Sequence, residues 1–196
     1  MTLEEAISRR HAVRSYKPDA VPEATVRLLL RAAVRAPTAM HAEPWAFAVV
    51  QDRALLKRYS DVAKATWSPP RDGSHAVGAS RQASESHAAA LVTAPDFNIF
   101  YDAGTLVAIC ARGANPFVAA DCWLAAENLM LMACDLGLGT CPIGFAVPVL
   151  NRPEVKTELG IPPDMSVIAP IIVGVPREWA AQTPRKDPEV VSWRRG

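Results

Sequence analysis

From Val118 to Leu136 nearly every residue is apolar or small, the exceptions being Asp121, Glu127, Asn128 and Asp135. A helix of that composition has to be buried on most of its sides. A chain of 196 residues can build one full hydrophobic core, either as one domain or as half of an intertwined dimer. It has little left over to wrap a central helix completely. The segment therefore predicts a helix at a subunit interface, stopped by Gly137 and Gly139.

The rest of the chain reads as strands separated by helices, which implies one layered α/β domain spanning residues 1–196. Thr2-Leu3-Glu4-Glu5 has the capping-box pattern, so a short helix should begin there and deliver Arg9 and Arg10 at its end. Val26, Leu29, Leu30 and Ala33 fall on one face of a second helix over 22–35. Buried strands fit 45–50, 105–111 and 167–175, and further helices fit the stretch around Leu55, Leu56 and Tyr59, then 83–93 and 151–159. Cys141-Pro142-Ile143-Gly144 reads as a tight loop, and 66–82, with Pro69, Pro70, Gly73 and Gly78, has no clear period. The tail over 176–196, with three prolines and alternating charge, reads as an extended arm that crosses to a partner subunit.

Composition excludes several classes. A net charge of +1 argues against nucleic acid as partner, and the basic residues are local, which fits a small anionic ligand. No uninterrupted apolar stretch of about twenty residues is apparent, so no membrane span is expected. Cys110, Cys122, Cys134 and Cys141 form no CxxC, and no apolar signal region opens the chain, so the expected compartment is the cytoplasm. His75 and His87 have no partner at zinc spacing, and no metal is expected.

Two segments carry chemistry. Arg9-Arg10-His11-Ala12-Val13-Arg14 sets three guanidiniums within six positions, a pattern suited to holding a phosphate. Ala36-Pro37-Thr38-Ala39-Met40-His41-Ala42-Glu43-Pro44-Trp45 reads as a shaped loop, since two prolines fix φ and small residues let the backbone approach a ligand. Each has a plainer reading. The arginines could cap a helix C-terminus on a solvated face, His41 could be an ordinary loop histidine, Cys141 could be a packed side chain or a nucleophile, and Trp45 and Phe47 are expected in the core.

The order Arg-Arg-His-x-x-Arg-Ser-Tyr, Ala-Pro-Thr-Ala-x-x-x-x-Pro-Trp, Gly137-Leu138-Gly139-Thr140-Cys141-Pro142-Ile143-Gly144, Val173-Gly174-Val175-Pro176 and Arg185-Lys186 resembles the FMN-dependent nitroreductase family across nearly the whole chain. That resemblance implies an α+β, three-layer fold with a central mixed sheet flanked by helices, in an intertwined homodimer with a C-terminal arm. It implies FMN as cofactor, with NAD(P)H as co-substrate and a nitroaromatic, quinone or enone as acceptor. It places Arg10, Arg185 and Lys186 at the flavin phosphate, the backbone of His11 and Ala12 beside them, and Arg14 at the pyrimidine edge. Pro37, Thr38, Ala39 and His41 would cover the ribityl and phosphate end from the other subunit. Pro142, Ile143 and Gly144 would run along the opposite edge. No side chain is expected to act as acid or base, because the flavin carries the chemistry. Ala12, His41 and Glu43 depart from the Ser, Asn and Gln common in the family, and Glu43 would oppose flavin reduction unless paired or turned to solvent. The other readings the residues leave open are a flavin store without turnover, a flavin-degrading or dehalogenating enzyme, and a thiol enzyme built on Cys141.

Overall fold

The structure is a computed structural model that describes residues 1–66, 90–92, 94–113, 116–179 and 184–195. The first helix, α1 (Leu3–Arg9), starts with the expected reciprocal cap. Thr2 Oγ1 accepts from the Glu5 N–H at 3.2 Å, and the Glu5 carboxylate accepts from the Thr2 N–H at 2.7 Å. Helix α2 (Glu23–Ala33) follows Pro22 and buries Val26, Leu29 and Ala33, the face its spacing predicts. After a 3-10 turn at Ala39–His41 come β1 (Trp45–Val50), α3 (Arg53–Thr66), β2 (Thr105–Arg112) and α4 (Pro116–Asp135). The chain closes with β3 (Gly139–Pro142), α5 (Ala146–Leu150), α6 (Pro153–Glu158) and β4 (Met165–Gly174).

The four strands stand in the order β1-β2-β4-β3 and every neighbouring pair is antiparallel. This corrects the expected mixed sheet. The parallel contact is an isolated bridge between Ala12 and Thr140, where the segment after α1 runs beside β3.

Strand β2 is buried on both faces, and its alternation divides the core. Leu106, Ala108 and Cys110 face α3, α5 and α6, whereas Val107, Ile109 and Ala111 face α2 and α4. A bulge between Ile109 and Cys110, opposite Ala169 and Val167, switches the parity of β4. Helices therefore cover the sheet on both sides, which makes three layers. Trp45 and Phe47 pack against the α2–α4 side, as expected of core residues.

Helix α4 is long and apolar enough over Phe117–Asp135 to cross a membrane by length and composition, which the sequence reading did not anticipate. Here it lies against the sheet and α2. Its inner face, with Cys122, Ala125, Ala126, Leu129 and Ala133, is buried. Phe117, Trp123 and Leu124 remain exposed, so this chain does not cover the helix alone.

Some expected elements shift. The tight loop after Thr140 is partly strand, because Gly139 to Pro142 pair with Gly174 to Ile171. Helix α5 was not foreseen, since Pro148 sits inside it. Of 66–82 only Thr66 is described, and of the helix expected over 83–93 only 90–92, which are helical; the other residues of both stretches lie outside the described residues.

Candidate functional site

Residues 12–17 hold the first arginine cluster against the sheet edge. The Val13 N–H donates to the Thr140 carbonyl at 2.9 Å, the Lys17 N–H to Val175 at 2.8 Å, and the Arg177 N–H to Ser15 at 3.1 Å. The approach is close enough to require glycine opposite. A Cβ on Gly139 would lie 2.7 Å from Val13 Cβ, and one on Gly174 would lie 2.8 Å from Tyr16 Cδ1. Val13 and Tyr16 are buried, and the Tyr16 hydroxyl donates to the Val13 carbonyl at 2.6 Å. Between these two buried residues Arg14 and Ser15 are exposed, and Arg14 stands beside Cys141 on β3.

Arg14 looks into a cavity of about 560 Å³. One wall is Cys141, Pro142, Ile143 and Gly144; another is Tyr101 and Ile99; Ala63, Thr66, Phe145 and Pro148 complete it. Among the described residues the lining is mostly carbon with one permanent cation, the usual make-up of a small-molecule site. The backbone of the loop is not uniformly available. Pro142 has no N–H, and the Ile143 N–H is taken by the Pro170 carbonyl at 2.9 Å. The Gly144 N–H has no partner among the described residues. A Cβ on Gly144 would meet nothing within 4 Å, and its φ is not left-handed, so the fold itself does not require glycine there.

Cys141 is 2 % exposed, and burial pushes its thiol above the usual cysteine range while the Arg14 charge pulls the other way. Tyr101 behaves alike, raised by burial and drawn down by Arg14. Burial pushes Cys110 and Cys122 up to about 11. All four cysteines are free and buried, which removes the thiolate that a cysteine nucleophile would need.

The remaining predicted residues lie elsewhere on the chain. Arg10 Nε is 3.1 Å from Glu127 Oε1 on α4. The His11 Nδ1–H donates to the Arg9 carbonyl at 2.9 Å, the ring meets Trp179 edge-on with centroids 5.7 Å apart, and Nε2 is buried without a partner among the described residues. Ala12 is half-buried on the bridge to Thr140. The second segment forms a strained loop: Met40, His41 and Glu43 have φ of 54°, 53° and 41°. Pro37 and His41 are exposed, and so is Glu43, turned to solvent. Thr38 Oγ1 accepts from the Glu43 N–H at 3.4 Å, and the Ala39 N–H donates at 3.2 Å to Asp121, which is buried on α4. Arg185 and Lys186 are exposed on the tail.

One chain thus brings Arg14 together with Pro142, Ile143 and Gly144. It does not bring Arg10, His11, Ala12, Pro37, Thr38, Ala39, His41, Arg185 or Lys186 to that cavity. Tyr101, Thr66 and Phe145 line it without having been singled out. Tyr101 stands in an irregular turn with no sequence period. Glu127 and Asp121 did leave a signal, as polar interruptions of an apolar helix.

The comparisons agree with this architecture. NfnB of Mycolicibacterium smegmatis, a nitroreductase, is 28% identical over 180 residues, covering 81% of this chain and 76% of that protein. Its structure, solved in complex with NADPH, superimposes with a TM-score of 0.68 at 27% identity over 89% of this chain and 87% of that one. A nitroreductase from Bacteroides fragilis solved with bound FMN shares the fold at a TM-score of 0.79 and 24% identity, covering 99% of this chain and 98% of the other. The model of the Nitroreductase family matches residues 7–175, and the chain belongs to that family.

Proposed function

We propose that this protein binds FMN and acts as an NAD(P)H-dependent oxidoreductase that reduces a nitroaromatic, quinone or enone acceptor by ping-pong turnover. The observation that carries the reading is that Arg14 and Gly144, whose N–H has no partner among the described residues, line the same 560 Å³ cavity. A fixed cation and an unused backbone donor at one opening suit a flat ring that becomes anionic on reduction. The FMN-bound and NADPH-bound relatives support the choice of cofactor and coenzyme.

When bound, FMN supplies the redox chemistry, taking hydride from the nicotinamide and passing it to the acceptor. The chain's own residues bind, orient and exclude water. Arg14 stabilises negative charge at the pyrimidine edge, and the Gly144 N–H serves the opposite edge, where Ile143 contributes packing because its N–H is already used. Arg10 holds the phosphate beside the backbone of His11 and Ala12, joined by Arg185 or Lys186.

Pro37, Thr38, Ala39 and His41 cover the ribityl and phosphate end from a second copy of the chain. The homodimer belongs to the proposal because α4 leaves Phe117, Trp123 and Leu124 exposed, as α1 does Leu3 and Ile7. Four unpaired cysteines support the cytoplasm as the compartment.

The test is the colour of the purified protein. An oxidised-flavin spectrum that bleaches anaerobically with NADH or NADPH, and returns on adding a quinone or nitroaromatic, is expected. Bound flavin that neither coenzyme reduces would make the protein a store, and a colourless protein that takes up no FMN would overturn the reading.

A further inference from the structure

We infer that Tyr101 is a positioning residue that keeps the Arg14 guanidinium on the flavin side of its range. The inference rests on the reading of Arg14 as the cation of an FMN site. Arg14 and Tyr101 together line two cavities: the large one already described and a smaller one of about 250 Å³. They form the wall the two share. The smaller cavity is lined on its other sides by Asp96, Asp102, Asn98 and Arg177. Arg14 therefore shares this second cavity with two carboxylates, and an ion pair there would cancel much of the field it exerts on a bound ring.

The tyrosine ring stands against that excursion. The guanidinium carbon lies 6.0 Å from the centroid of the Tyr101 ring, a contact that favours the cation over the ring face. The ring itself is well held. Phe97 meets it edge-on at 5.4 Å between centroids, and the Tyr101 N–H donates to the Asn98 carbonyl at 2.8 Å. The Asn98 side-chain amide donates in turn to Asp102 at 2.8 Å. Tyr101 and Asp102 both have left-handed φ, 51° and 55°. Two consecutive non-glycine residues in that region indicate a turn over-determined by its surroundings.

The experiment is spectroelectrochemistry of the FMN-loaded protein, with the FMN dissociation constant measured in parallel. Arg14→Ala is expected to lower the reduced-to-oxidised ratio at a fixed potential by about tenfold, equivalent to about 30 mV for a two-electron couple. Tyr101→Ala should give a shift of the same sign and similar size although Arg14 is intact. Tyr101→Phe, which keeps the ring but loses the hydroxyl that interacts with Arg14, should shift the potential less than Tyr101→Ala. The Arg14→Ala/Tyr101→Ala double variant should shift no further than Arg14→Ala alone, and adding Asp96→Asn and Asp102→Asn to Tyr101→Ala should recover part of the loss. Should Tyr101→Ala fold poorly, Tyr101→Asn removes the ring while suiting a left-handed φ.

An unchanged potential in Tyr101→Ala, or additive shifts in the double variant, overturns the positioning role and leaves the FMN reading standing. An Arg14→Ala potential equal to wild type removes Arg14 from the flavin edge and overturns the Tyr101 role with it, whereas a chain that takes up no FMN overturns the reading on which both rest.

Discussion

At the scale of single residues, Arg10 has to change partners. Its pairing with Glu127 involves a carboxylate that is 46% exposed, and such a pair contributes about 0 to 1 kcal/mol. A charge-assisted phosphate contact is worth about 1.5 to 3 kcal/mol, so an arriving phosphate wins. Arg10→Ala should therefore raise the FMN dissociation constant roughly tenfold to a hundredfold, measurable by flavin fluorescence quenching. A constant that does not move removes Arg10 from the site. Gly144 offers a cleaner probe, because no described residue occupies the space its Cβ would enter. Gly144→Ala should leave the thermal stability of flavin-free protein within about 0.5 kcal/mol while weakening flavin binding. Equal FMN affinity in the two proteins would mean that no ligand lies over that backbone. Arg14 was legible in the sequence, as one of three arginines within six positions in a motif that resembles the family's. The Arg10–Glu127 pair was not, because 117 positions separate residues that only tertiary packing brings together.

At the scale of elements, the site depends on how closely residues 12–17 lie against β3 and β4. Glycine makes that approach possible. Gly139→Ala forces a methyl to 2.7 Å from Val13 Cβ and should destabilise the fold by about 1 to 3 kcal/mol in urea unfolding. Val13→Ala in the same chain removes the Cγ2 and Cγ1 contacts at 2.7 and 2.9 Å while keeping Cβ, and should return part of that loss; strict additivity of the two changes would show that these contacts are not the cause. The capping box, the β2 strand and the apolar α4 were readable because each is declared within a few neighbouring residues. Strand β3 was not. Its Gly139 and Pro142 look like turn residues, and only pairing with Gly174 to Ile171 makes it a strand. The antiparallel order likewise depends on long-range partners that a local pattern does not name.

At the scale of the whole molecule, the proposed dimer turns on α4. Leu124 is 45% exposed, so Leu124→Glu should leave the single chain folded by circular dichroism. It should nonetheless give monomers in light scattering and lose FMN together with the dimer. A monomer that keeps FMN would break the proposed link between assembly and cofactor.

The proposed placement of Arg10 and the 37–41 loop on opposite subunits of each site has a genetic consequence as well. Take Arg10→Ala on one chain and Ala39→Glu, which sets a carboxylate against the phosphate, on another, at a flavin concentration too low to fill either homodimer. Coexpressed, they would form mixed dimers in about half of assemblies, each with one doubly damaged and one intact site, so that about a quarter of all sites recover. Two inactive alleles would complement one another, as parts of one self-contained chain could not.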